Sequence, residues 1–532
     1  MIFQRGRRRL KQAALVFVPL LLTGATPAVG GAAGPSHQPD LRWRQCADNA
    51  ALRCATLSVP LDHTDPGGER IDLALVKAPA AEPERKLGSL VLNRGGPGFS
   101  STEYLRLVKA GQLASPVDQR VWDRYDVIGL DQRGVGQARP AVTCFSSPEE
   151  REEFNAGVPA FPATIWQAWS RAAKDAEFAA RCRRHTGALL DHLSTATVAR
   201  DLDLVRQALG ERRLNFLGQS YGVHLGLAYA NLFPRRVGSL MLDSVLNPAR
   251  SLDGPSGTVP SERTGSDVAT SATLDEFLRL CAEGDSCSFA EHGPRRAFDE
   301  LMARLEAEPL RLRARDGTNV TLTYPKLVAF AGGVLYQPVA WDLLANMLDL
   351  TYRVQHEPTE SAVADLAELV RIIDENGLDA AYSGIKGAYS AFTCNDVDLP
   401  RHPMAWWAAA QRREPVAGHF AALRAYTTST CAAWQARPRE RYTGPWSVRT
   451  DQPVLILTSR FDPSTPAANA VRLHELLPNS RLLVNEGWGH VTTQQSTCMT
   501  RAASAYLVAG ALPGPDESCR PDRIPFSGEG AR

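Results

Sequence analysis

Several features are missing from this chain, and each absence narrows what it can be. A membrane-spanning helix needs about 20 consecutive apolar residues. The N-terminal apolar run “AALVFVPLLL”, at 13–22, has half that length. Net charge is nearly absent, with 59 Lys and Arg against 58 Asp and Glu. No basic patch stands out beyond the N-terminus, which argues against a nucleic-acid partner. There is no Cys-x-x-Cys and no paired Cys/His spacing of a structural zinc site. “HELLP” and “HEPTE” both fail the His-Glu-x-x-His pattern of zinc peptidases. No metal or other cofactor is expected. Internal repeats at solenoid periods are also missing.

What is present first bears on location. The opening “MIFQRGRRRLKQ” carries Arg5, Arg7, Arg8, Arg9 and Lys11 and no acid. The apolar run and then the small residues “TGATPAVGGAAG” follow it. Basic, apolar and small segments in this order form a secretory signal peptide, placed at 1–33. Removing its five positive charges takes the formal net charge from +1 to 1 − 5 = −4. The expected product is secreted and extracellular, with no stable membrane association. The ten cysteines fit an oxidising compartment. The simplest pairing joins neighbours in order: Cys46–Cys54, Cys144–Cys182, Cys281–Cys287, Cys394–Cys431 and Cys498–Cys519.

At 532 residues the chain is long enough for one large domain with an insertion, or for two to three domains. Its first half alternates apolar runs, turn signals and helical stretches. “ATLSVPLD” and “IDLALVKAP” read as strands joined by the turn “HTDPGGER”. “GSLVLNRGGPG” and “YDVIGLDQRG” read as strands ending in glycine-containing loops. “TATVARDLDLVRQALG” is a helix with Val198, Leu202, Leu204, Val205 and Leu209 clustered on one face. “RRLNFLGQS” is a strand, “YGVHLGLAYANLFP” a helix stopped at Pro234, and “VGSLMLDSV” a strand. Such alternation implies a mostly parallel central sheet flanked by helices. From 248 to 446 the pattern becomes mainly helical, apart from one hairpin, “LRLRARDGTNVTLTY”. Alternation resumes with “PVLILTSRFDP”, “AANAVRLHELLP” and “SRLLVNEGWGH”. The reading is an α/β domain in two parts, 34–247 and 447–532, interrupted by a helical cap at 248–446.

“GQSYG”, at 218–222, is a Gly-x-Ser-x-Gly pentapeptide. With Gly at roughly 7% of average proteins and Ser as common, about 0.2 chance matches are expected in a chain this long. Context carries more weight than the match. Ser220 sits where a strand meets a helix, as a nucleophile elbow requires. A serine hydroxyl needs a base, and the base needs an acid to orient it. Asp462 and His490 each follow a C-terminal strand directly, 28 residues apart. Ser, Asp, His is the chain order of the α/β-hydrolase fold. Glu486 is a weaker rival acid. His224, one turn along from Ser220, reads as packing, and His474 lies inside a helix. An oxyanion hole would use the N–H of Tyr221 and one from “NRGGPG”, with Gly96 preferred and Gly95 next.

Three motifs, “RGGPG” at 94–98, “GLDQRGVGQ” at 129–137 and “GQSYG”, resemble the proline iminopeptidase family of α/β-hydrolases. The segment 195–222 as a block is similar to its secreted actinobacterial branch, the tripeptidyl aminopeptidases. One departure is Arg94, where proline iminopeptidases usually carry His. The family's catalytic residues map onto Ser220, Asp462 and His490. The resemblance implies cleavage of short peptides from a free N-terminus, with the helical insertion as a lid. An exopeptidase needs a carboxylate for the terminal ammonium. Asp396 is the nominated ligand, against the commoner role of such an Asp in a turn or cap. Glu262 and Glu276 are weaker candidates. Trp406 and Trp407 would either wall an apolar subsite or pack in a core. Asp131 and Arg133 would form an ion pair or brace the loops beside the site. Two other readings stand beside this one: a carboxylesterase or lipase with the same triad, and a binding protein on a hydrolase fold. The sequence leaves the oligomeric state open.

Overall fold

A computed structural model describes residues 41–252, 257–377 and 380–527. The signal-peptide reading at 1–33 lies outside the described residues.

Ten strands form one sheet. In chain order these are β1 (Arg44–Gln45), β2 (Arg53–Pro60), β3 (Arg70–Ala78), β4 (Gly88–Asn93), β5 (Tyr125–Asp131), β6 (Leu214–Gln219) and β7 (Val237–Asp243). After the separate hairpin β8 (Leu310–Arg313) and β9 (Asn319–Leu322) come β10 (Val454–Phe461), β11 (Ser480–Trp488) and β12 (Ser518–Cys519). The spatial order is β1-β2-β3-β5-β4-β6-β7-β10-β11-β12. The pairings β1·β2, β2·β3 and β3·β5 are antiparallel. The six pairings from β5·β4 to β11·β12 are parallel.

The central strands are apolar on both faces, which is why they read as continuous hydrophobic runs. Val91, Leu240, Leu242, Val454 and Ile456 enter one core. Their neighbours Leu90, Leu92, Met241, Leu455 and Leu457 enter the core on the opposite face. Side chains that alternate along a strand can do this only if helices cover both sides. From β4 the chain crosses to β5 on one side, and from β6 it crosses to β7 on the other. The carboxyl ends of β4 and β6 therefore flank the point where the winding direction reverses. Open α/β sheets bind ligands at such a point.

Among the described residues between β7 and β10, the regular elements are helices apart from β8–β9. These helices have their own core, which includes Phe277, Phe298, Trp341, Leu348 and Trp406. The sequence reading missed a 22-residue helix, Ile165–Thr186, that precedes Ser220. Its Phe178 packs 4.8 Å from the ring of Tyr382, which belongs to the inserted stretch. Cover over the sheet is thus built from both sides of Ser220 in sequence. The five disulfides join neighbouring cysteines in order, as expected from the sequence. Among the described residues, no helix is long and apolar enough to cross a membrane.

Candidate active site

Ser220 stands between β6 and the helix Tyr221–Leu232, with φ 56° and ψ −119°. That conformation is costly for a residue with a Cβ. It survives because the surroundings fix it. The Ser220 N–H donates to the Asp243 carbonyl oxygen at 2.9 Å. A Cβ on Gly218 would lie 2.3 Å from the Gly222 carbonyl oxygen, and one on Gly222 would lie 2.6 Å from that of Asn93. Both glycines are therefore required for the close approach of backbone in this turn.

Asp462 and His490 meet beyond the ends of β10 and β11. His490 Nδ1 lies 2.9 Å from Asp462 Oδ2 and 3.0 Å from Oδ1. Asp462 also accepts from the N–H groups of Ser464 and Thr465 and from the Thr465 hydroxyl. Burial pushes its carboxyl up, but the facing imidazole and these donors outweigh burial and hold it below the usual range. An acceptor at Nδ1 puts the imidazole proton there and leaves Nε2 as the second ring nitrogen. The His490 N–H donates to the Tyr336 carbonyl at 2.9 Å. The rival acid Glu486 instead pairs with Arg460 on the surface.

Asp243, at the end of β7, had no role in the sequence reading. Its carbonyl holds Ser220, while its carboxylate accepts from the N–H and hydroxyl of Thr492 and of Thr493. One residue thereby ties the elbow to the loop that follows His490. The next residue reinforces this, because Val491 N–H donates to Ser244 Oγ at 2.7 Å. A lone Asp at a strand end gives no sequence signal for such a role.

The glycine loop after β4 sits against the elbow. A Cβ on Gly95 would lie 2.4 Å from the Gln219 carbonyl oxygen and 2.9 Å from Tyr221 N. The Gly95 N–H donates to Asn93 Oδ1. The Gly96 N–H has no acceptor among the described residues, and Gly96 lines the cavity. Of the two glycines, Gly96 has the available donor. Gln132 fixes the loop by accepting from Asn93 Nδ2 and donating to the Pro97 carbonyl.

Asp131 and Arg133 do not pair with each other. Asp131 accepts from Ser100 Oγ, from the N–H and hydroxyl of Thr102, and from Gln137 N–H. Arg133 is wholly buried and grips Asp201 with Nε and Nη2, both at 2.6 Å. Its remaining donors reach the carbonyls of Pro60, Leu61 and His192. The two side chains serve different needs: Asp131 caps the helix after the glycine loop, and Arg133 ties the end of β2 and His192 to the helix Thr195–Ala208.

Ser220, Tyr221, Gly96 and His490 line one cavity of about 720 Å³ under the inserted helices. Asp396 is its one lining carboxylate among the described residues. Asp396 also accepts from the N–H and hydroxyl of Thr195, at the start of the helix Thr195–Ala208. Burial raises its carboxyl to about 6 despite these bonds. Lining and capping roles thus coincide in this residue. Glu262 is not on the cavity wall. It receives the Val259 N–H and pairs with Arg412 at 3.1 Å, as expected for an acid in a helix's first turn. Glu276 is likewise off the wall, held by Arg279 and Trp488 Nε1. Trp406 is fully buried in the cap core, bonded to Thr428, and Trp407 packs beside that core. His224 is buried with its ring 5.1 Å from that of Trp446, and burial lowers it to about 3.

Fold and site geometry together define an α/β-hydrolase. Residues 88–261 match the family model described as alpha/beta hydrolase fold, and 414–519 match that described as TAP-like protein. The chain is 29% identical to tripeptidyl aminopeptidase of Streptomyces coelicolor, over 93% of this chain and 88% of that protein. It is 30% identical to carboxylesterase B of Mycobacterium tuberculosis, over 97% of this chain and 99% of the relative. Serine protease Hip1 of the same organism is 29% identical, over 97% and 98%. The chain belongs to the α/β-hydrolase superfamily, in the family that holds these three enzymes, and is itself an enzyme of that class.

Proposed function

We propose that this protein is an exported serine peptidase that releases short peptides from free N-termini. One observation carries the reading: the His490–Asp462 pair, at 2.9 Å, borders the cavity that also holds Ser220. Ser220 Oγ attacks the scissile carbonyl as His490 Nε2 takes its proton. The N–H groups of Tyr221 and Gly96 receive the developing oxyanion. His490 then gives the proton to the leaving amine, and water hydrolyses the acyl-enzyme. Asp462 holds the imidazole tautomer and its charge. In this reading Asp396, on the cavity wall, meets the substrate ammonium, and the inserted helices limit access to short chains. The N-terminal segment and the five disulfides support export.

A second reading is an ester hydrolase, favoured by the relative named carboxylesterase B. The same groups open both bonds. Mass spectrometry of products from a mixed peptide pool, with free and acetylated N-termini, separates the two. Release of one fixed length from free N-termini alone supports the peptidase. Turnover of short acyl esters with every peptide intact would assign the ester reading instead.

A further inference from the structure

The cavity wall carries charge that the proposed chemistry does not use. Lys386 begins the helix Lys386–Asp396 and is nine-tenths buried. Its Nζ donates to the Thr427 carbonyl at 2.5 Å and has no carboxylate partner among the described residues. Arg171, from the helix Ile165–Thr186, lies beside it and is also buried. Arg171 Nε pairs with Asp175, and one terminal nitrogen serves the carbonyls of Pro159 and Ala160. The guanidinium also lies 5.0 Å from the ring of Tyr382. The guanidinium stands 5.8 Å from the ring of Tyr426, whose buried hydroxyl has no hydrogen-bond partner. All three residues line the cavity.

The local balance is two cations against Asp175 alone, whose Oδ1 already receives the Tyr382 hydroxyl. Burial, and then the neighbouring Arg171, lower Lys386 to about 7. Buried cations are expensive unless a negative group answers them. A guanidinium, an ammonium and an unpaired hydroxyl form a donor set suited to a carboxylate.

We propose that Lys386, Arg171 and Tyr426 form a carboxylate-binding subsite that selects anionic peptide substrates. The inference rests on the peptidase reading and names its substrate class. Its position is set by the fold. A Cβ on Gly98 would lie 3.0 Å from the Ile385 carbonyl oxygen, so this helix starts against the glycine loop. Asp396 ends the same helix ten residues later, about 15 Å away at 1.5 Å per residue. Carboxylate and cations thus stand at opposite ends of one wall. An extended peptide of about four to five residues spans that distance. The substrate anion is either a peptide's C-terminal carboxylate or an acidic side chain.

The test compares kcat/KM for matched tetra- and pentapeptides as free acids and as C-terminal amides, and for amides with Glu or Gln at the last position. Wild type should prefer the anion by about tenfold or more in at least one arm. The acid/amide arm identifies a terminal carboxylate, and the Glu/Gln arm a side chain. In Lys386→Gln the preference should fall towards one. Tyr426→Phe should reduce it several-fold, and Lys386→Arg should keep it. A purely structural Lys386 would lower both substrates of a pair equally, which overturns the subsite. So would a wild-type ratio near one in both arms, a result that needs no variant. If no peptide is cleaved, the peptidase reading fails by itself. The subsite is then read with p-nitrophenyl hemisuccinate against butyrate, where equal rates overturn it.

Discussion

Ser220 and Asp243 are joined by a 2.9 Å hydrogen bond from the serine N–H to the aspartate carbonyl. The Asp243 carboxylate meanwhile takes four donors from Thr492 and Thr493, just after His490. The spacing between nucleophile and base is therefore set by a third residue that touches neither reacting atom.

Asp243→Ala should leave those four buried donors without an acceptor. Each unsatisfied buried group costs about 1–3 kcal/mol, so a loss of about 3 kcal/mol or more is expected. Denaturant unfolding measures this. In the folded fraction, Ser220 should also react more slowly with a fluorophosphonate. Unchanged stability would remove Asp243 from its bridging role.

Asp462→Asn keeps the shape of the acid but presents an amide to His490 Nδ1. The wrong tautomer follows, and kcat should fall by roughly 10³–10⁴. Because Asp462 is held below the usual carboxylate range, it stays ionised well into acid. His490 acts as base only when neutral, so activity should decline as pH falls. A pH profile of kcat/KM checks the limb.

Gly95→Ala should push the glycine loop away from the elbow, since the new methyl would sit 2.4 Å from the Gln219 carbonyl oxygen. Displacing one oxyanion donor costs roughly 10²–10³ in kcat. KM should change much less. Steady-state kinetics on one peptide substrate give both parameters.

Asp396 has a folded-state value of about 6 against an ordinary 3.8. A carboxyl raised on folding favours the protonated state, so stability is lost as pH rises from about 4 to above 6. The full effect is about 3 kcal/mol. Asp396→Asn abolishes this titration. Any fixed cost of the amide against Thr195 is the same at every pH. Between pH 4 and pH 7.5 the variant should therefore gain on wild type. Parallel stability curves would contradict the buried carboxyl.

Much of this was legible because the signals are local. The strand-to-helix switch at Ser220, the strand ends before Asp462 and His490, and the paired cysteines are all short-range patterns. Apolar runs gave the sheet because strands buried on both faces carry no alternation to misread. The cap was legible only as helical. Which of its residues face the cavity depends on packing between segments far apart in sequence. Glu262 looked available, yet it caps its own helix and binds Arg412. Trp406 and Trp407 fill or flank the cap core. Arg171 reaches the cavity from a helix the sequence reading passed over. The separate partners of Asp131 and Arg133 are non-local in the same way.

The central claim is that Ser220 is the nucleophile, served by His490 and Asp462. Peptide mapping by mass spectrometry after fluorophosphonate treatment tests it most directly. The account predicts one adduct, on Ser220, lost in Ser220→Ala and slowed in Asp462→Asn. An unlabelled Ser220 in folded protein, or an adduct on another residue, would contradict it.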